Sequence, residues 1–177
     1  RRQTVNLRSQ PEIESYQRED IRSKINNWEI GGDYEYNTAR GDRFKVLFIS
    51  NSFTPDRLRE RWNLTGPSSE NKNLFLDSTS TTKERILRSS YTLDMFGGSQ
   101  DLEFGAERAQ TILDSSLALG TLNPNGTSSA AVGGLVPVDI PNARSSVEEM
   151  RYEPFIIHNW VFNSRMSLES SVLYEDS

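Results

Sequence analysis

The chain has 177 residues, 34% of them apolar, 10% aromatic and 25% charged, and its 25 acids against 20 bases leave a net charge of −5. A mean hydropathy of −0.64 and the lack of any apolar run near 18 residues exclude membrane-spanning helices, but not a membrane β-barrel, whose strands meet lipid only at alternate positions. With no cysteine and one histidine, disulfide scaffolds, thiolate zinc sites and multi-histidine metal sites are excluded, and the acidic balance carries no footprint for nucleic acid.

Residues 24–36 form the first expected strand. Trp28, Ile30, Gly32, Tyr34 and Tyr36 share one face, with Glu29, Asp33 and Glu35 on the other. The segment Asn37–Asp42 has turn chemistry, and residues 42–53 return with Phe44, Val46 and Phe48 set against Arg43, Lys45 and Leu47. Residues 55–82 are charged, then rich in Ser, Asn and Thr, with Pro55, Gly66 and Pro67 as punctuation, and are expected to be a long loop.

A second hairpin is expected over residues 84–96 and 100–117. Leu87, Tyr91, Leu93 and Met95 alternate with Arg88, Ser90 and Asp94, Gly97-Gly98 turns the chain, and Leu102, Phe104 and Ala106 oppose Glu103 and Glu107. Residues 118–148, rich in Gly, Ser, Ala and Pro, form the second expected long loop. The last hairpin spans residues 151–162 and 165–175. Its first arm sets Ile156, His158, Trp160 and Phe162 against Phe155, Ile157, Asn159 and Val161 and is apolar on both faces, so its orientation is the least defined. Its return arm sets Met166, Leu168, Val172 and Tyr174 against Ser167 and Glu169.

Strands of ten or more residues exceed the usual five or six and match the roughly 9–11 that cross a bilayer. Short turns at one end and long loops at the other are the layout of outer-membrane barrels. Arg108 shares parity with Phe104. About nine residues past the turn it would stand roughly 20 Å up, near the far edge of an apolar band about 25 Å tall. His158 sits lower and fits the band less well. On alternation alone, a soluble β-sandwich with a solvated charged face remains open.

Arg40-Gly41-Asp42 is an integrin-recognition tripeptide and equally a hairpin turn, and the turn is the expectation. Asn63-Leu64-Thr65 and Asn125-Gly126-Thr127 match the glycosylation pattern, which matters only in a secreted eukaryotic chain. Glu103 and Glu107, four apart on one strand face, would stand roughly 13 Å apart, beyond either glycosidase separation. With no phosphate loop, dinucleotide fingerprint or H-E-x-x-H, no catalytic, cofactor-binding or metal-binding residue is assigned, no cofactor is expected, and the chain is not expected to be an enzyme.

The string Trp28-Glu29-Ile30-Gly31-Gly32-Asp33-Tyr34-Glu35-Tyr36 resembles an early barrel strand of TonB-dependent outer-membrane receptors of proteobacteria. Residues 42–49, the stretch Arg57–Trp62, residues 102–119 and residues 151–177, with Glu153-Pro154-Phe155 and His158-Asn159-Trp160, suit the same group. The resemblance covers most of residues 20–177. It implies energised uptake through a barrel of about 22 strands with a plugged lumen, in the bacterial outer membrane. The partners it implies are membrane lipid, a periplasmic energy-coupling protein (TonB) acting through a plug domain, and a scarce ligand such as a ferric siderophore. No plug or coupling box is present in these residues, so no site residue carries over, and the chain, which opens on Arg1 without a signal peptide, is expected to be a fragment.

The expectation is therefore an all-β, antiparallel, up-and-down barrel segment of about six long strands in three hairpins. Trp28, Tyr34, Phe44, Phe48, Leu93, Leu102, Phe104, Trp160, Leu168 and Tyr174 should face lipid. Glu29, Asp33, Glu35, Arg43, Lys45, Arg88, Asp94, Glu103, Glu107 and Glu169 should face the lumen. The two long loops should be extracellular and carry the ligand contacts. The rivals are a passive outer-membrane porin and a soluble β-sandwich binding module.

Overall fold

The computed structural model describes residues 2–9, 13–64 and 69–177, with side chains from Tyr16 onward. Its strands are β1 (Arg2–Ser9), β2 (Ile13–Asn37), β3 (Arg43–Leu64), β4 (Glu70–Met95), β5 (Gln100–Thr121), β6 (Val136–Pro137), β7 (Arg144–Asn163) and β8 (Met166–Leu173). They form one antiparallel up-and-down sheet in the order β1-β2-β3-β4-β5-β7-β8, with β6 added beside β5. The sheet is open: β1 and β8 end the order and do not pair with each other. Among the described residues there is no α-helix; the one helical element is the 3-10 turn Ala130–Val132.

All six expected strands are present, and the turns between them are made as their residues dictate. At Thr38–Asp42, the Thr38 N–H donates to the Asp42 carbonyl at 2.8 Å, the Thr38 hydroxyl accepts from the Asp42 N–H at 3.1 Å, and Gly41 takes φ +97°. Phe96, Gly97 and Gly98 all have positive φ, and the Asp94 carboxylate caps the Gly98 N–H at 2.8 Å. At the third turn the Asn163 side chain accepts from the Arg165 N–H at 2.9 Å.

Two expectations are corrected. Residues 55–82 are not a long loop: β3 continues to Leu64 and β4 starts at Glu70, with Gly66, Pro67 and the Thr65 of the glycosylation pattern outside the described residues. These strand halves are largely polar, and the run Leu74-Phe75-Leu76 is apolar on both faces, so hydropathy does not alternate. The backbone ladder between β3 and β4 continues there and is reinforced by cross-strand side chains, including Arg61 to Asn73 at 3.0 Å, Lys72 to Glu60 at 2.7 Å and Thr54 to Thr81 at 3.1 Å. The segment 118–148 is likewise shorter and built. β5 runs to Thr121, β7 begins at Arg144, and β6 pairs Gly120↔Pro137 and Thr121↔Val136. β1, which lies before the first expected strand, pairs with β2 from Arg2↔Asp20 to Ser9↔Ile13.

The chain divides into two compact units: Arg1–Asn26, Phe53–Thr81 and Leu113–Ser146 in the first, and Asn27–Ser52, Thr82–Ile112 and Val147–Ser177 in the second. In the first unit the connection between β5 and β7 supplies a small core. Ser129 caps the 3-10 turn by accepting from the Ala131 N–H, and Gly133, at φ +65°, ends it. Val132 and Leu135, each 5% exposed, then pack where a Cβ on Gly120 would come within 3.0 Å of both. The second unit buries Ala109 and Phe155.

Candidate functional site

The second unit has two chemically distinct faces. On one lie Trp28, Ile30, Tyr34 and Tyr36 of β2, Phe44 and Phe48 of β3, Leu87 of β4, Phe104 of β5, Ile156, Trp160 and Phe162 of β7, and Met166, Leu168 and Val172 of β8, all exposed. Trp28 is 55% and Tyr34 60% exposed, where a core position would be near zero. Of the ten residues expected to face lipid, Leu93 and Leu102 are half-buried and the other eight exposed. The β7–β8 register pairs Ile156↔Val172 and Trp160↔Leu168, which fixes the orientation of the arm that is apolar on both faces.

Rings cluster on this face: Trp160 and Phe162 have centroids 4.3 Å apart, and Tyr91 and Phe104 5.8 Å. His158 has a partner, since its Nε2 is hydrogen-bonded to Gln100 Oε1 at 3.1 Å. That bond removes most of the objection to a histidine on an apolar face, because an imidazole with a bonded nitrogen is far cheaper to desolvate than a bare one.

A polar row closes the apolar band on the side away from the turns. Arg85 Nη1 donates to Gln110 Oε1 at 3.4 Å, and Gln110 Nε2 donates to Glu148 Oε1 at 2.6 Å. Arg108 lies in this border beside Met150, its Nη2 3.3 Å from the sulfur.

The opposite face carries the charges. Glu29, Asp33, Glu35, Arg43, Lys45, Asp94 and Glu169 are exposed, while Arg88, Glu103 and Glu107 are half-buried. Arg151 joins Glu107 at 3.6 Å to Glu153 at 2.5 Å, and Arg88 approaches Glu107 at 3.8 Å. The Arg88 guanidinium also lies over the Phe155 ring, 4.5 Å from its centroid. A cavity of about 340 Å³ beside this network is lined by Arg43, Lys45, Leu47, Arg88, Ser90 and Glu103.

Sequence reasoning missed what Phe155 does there. A Cβ on Gly105 would meet the Ser89 carbonyl oxygen, Phe155 Cζ at 2.7 Å and Ser90 Cβ at 2.9 Å, so the bare glycine is the seat of the aromatic ring. The readable signal was a glycine between Glu103 and Glu107, because glycine inside a strand marks close approach of another group.

The Arg40-Gly41-Asp42 turn is occupied by its own neighbours: the Asp42 carboxylate accepts from the Tyr91 hydroxyl and from the Asp94 N–H, each at 3.2 Å. In the first unit, the residues expected as loop form a charged cluster around Trp62, with the Arg18 guanidinium 4.3 Å and the Lys72 ammonium 5.4 Å from its ring centroid. Lys72 also donates to the Gly133 carbonyl at 3.2 Å, which ties β4 to the ordered connection. A second cavity there, about 600 Å³, runs from Pro55 and Arg57 past Ser78–Ser80 and Ser115–Leu117 to Ile140–Ala143. Its hydroxyl-rich wall borders the segment in which ligand contacts are expected.

The chain matches no known family model, curated protein or solved structure. Among the described residues no group of three or more His, Asp or Glu is placed to hold a metal ion, and no helix is long and apolar enough to cross a membrane.

Proposed function

We propose that this chain is part of the barrel wall of a TonB-dependent outer-membrane receptor, which takes up a scarce ligand such as a ferric siderophore. The observation that carries the reading is the pair of faces in the second unit: apolar, aromatic and exposed on one side, charged and ion-paired on the other. A bilayer accepts the first face and a wet or plugged lumen accepts the second. The run from Trp28 to Tyr36 is nine residues, close to what a tilted strand needs to cross. Rings of Phe44, Trp160 and Phe162 near the turns match the interfacial preference of aromatic side chains.

A self-contained soluble sandwich is supported less well. Such a fold covers its apolar face with a second sheet, whereas the described residues form one sheet and bury only Ala109, Val132, Leu135 and Phe155 among apolar side chains. A passive porin would have the same two faces. The coupled receptor is preferred because of the strings at residues 28–36, 102–119 and 151–177.

Because the chain has no cysteine, single cysteines report without background. Introduced at Trp28, Phe44, Phe104 and Leu168, spin labels in outer-membrane preparations should collide with oxygen and be shielded from a water-soluble nickel chelate. At Glu29, Lys45, Glu103 and Glu169 the order should reverse, and equal accessibility on both faces would refute the barrel-wall reading. Uptake of ferric siderophores by the expressing cells should stop on adding an uncoupler; uptake that continues assigns the wall to a porin.

A further inference from the structure

The two faces treat their arginines differently. On the charged face Arg88 and Arg151 stand within 4 Å of Glu107 or Glu153. On the apolar face Arg85 and Arg108 are exposed, and among the described residues neither has a carboxylate within ion-pair distance. Arg85 reaches the neutral Gln110 side chain, and Arg108 reaches a thioether. The acid in that row, Glu148, is held by the amide of Gln110 at 2.6 Å.

We propose that Arg85 and Arg108 form a site for the phosphate of a lipid headgroup, at the border where the apolar band ends. The proposal rests on the membrane reading given above and gives the lipid of that reading a specific headgroup site. Leu87, two residues from Arg85 on β4, and Phe104, four from Arg108 on β5, are exposed on the same face, so a lipid whose chains lie on that band brings its phosphate to the two guanidiniums. A guanidinium offers a planar fork of donors that matches phosphate oxygens. Its alkyl stem lies along apolar surface while the head stays at the interface. Charge complementarity selects the occupant, since an acyl tail alone gives no reason for cations in this row and an acidic protein gives none for the aromatic band beside it.

The test uses the full chain refolded with vesicles of phosphatidylcholine, or of phosphatidylcholine mixed with anionic phosphatidylglycerol. Chain-brominated lipid reports insertion by quenching Trp28 and Trp160. Wild type should prefer the anionic vesicles, each arginine near the surface contributing about 5-fold in partition. The pair R85Q/R108Q should lose roughly 30-fold of that preference while its quenching in phosphatidylcholine is unchanged. R85K/R108K, which keeps the charge but not the planar fork, should recover only part of it, full recovery overturning the phosphate site in favour of charge alone. R43Q, on the opposite face, should change nothing. Quenching with an unaltered anionic preference in R85Q/R108Q overturns the headgroup site and leaves the membrane reading intact. Loss of self-association in R85Q/R108Q without a change in lipid preference overturns it in favour of a second copy of the chain. Absence of quenching in either vesicle overturns the membrane reading, and the headgroup site with it.

Discussion

Gly105 concentrates the packing of the charged face into one position. Phe155 is 7% exposed because its ring occupies the space that a side chain at residue 105 would take. Gly105→Ala should therefore lower stability by about 1–3 kcal/mol, the usual cost of overpacking, as read by the urea midpoint in detergent. Adding Phe155→Leu should recover only part of the loss, since the Ser89 carbonyl oxygen stays in the way; full recovery would mean that the ring alone sets the fit. Alternation alone did not orient Phe155, because the arm from Phe155 to Phe162 is apolar on both faces and only the β7–β8 register sets which side is which. Its burial was not legible either, because a one-dimensional pattern does not say which neighbouring strand supplies a gap.

At the scale of elements, alternation marks the strands only where their two faces meet different surroundings. Residues 24–36, 42–53 and 84–96 lie largely where one face is apolar and the other charged, and each was readable. Their continuations to Ile13, Leu64 and Glu70 are largely polar in sequence or, at Leu74-Phe75-Leu76, apolar without alternation, so periodicity vanishes while the backbone ladder goes on. Charge and punctuation then imitate a loop, with Pro55 as the most misleading residue. Pro55 lies inside β3 and donates no hydrogen bond, and close by the Ser78 hydroxyl donates to the Arg57 carbonyl at 3.4 Å. The turns behaved better, since their chemistry is local. Asp42 serves two of them at once through Tyr91 and Asp94. Asp42→Ala should cost about 1–2 kcal/mol, and Tyr91→Phe, which removes one of its bonds, about 1 kcal/mol. If thermal unfolding in detergent shows no change for Asp42→Ala, the carboxylate is free and the tripeptide becomes available as a ligand motif.

For the molecule as a whole, the decisive quantity is the apolar surface left without cover. Monomeric soluble proteins rarely expose a contiguous apolar patch larger than a few hundred Å², and here one face of the second unit presents exposed aromatics or aliphatics on each of its six strands. Among the described residues the sheet also ends in two unpaired edges, β1 and β8, each a template for pairing with another chain. Both features act in the same direction in water, where the gain from hiding apolar area, about 25 cal/mol per Å², opposes any monomeric state. The chain should therefore aggregate on dilution from denaturant into buffer and remain dispersed when diluted into detergent micelles, by light scattering and sedimentation. Three substitutions on the apolar face, Trp28→Ser, Phe48→Ser and Leu168→Ser, should weaken aggregation in buffer and micelle binding together, because both draw on the same surface. The same changes at Glu29, Lys45 and Glu169 should leave micelle binding unaltered. A monomer in plain buffer that unfolds cooperatively would mean that the exposed face is covered by the chain itself, and the soluble binding module would then replace the membrane wall as the reading of this sheet.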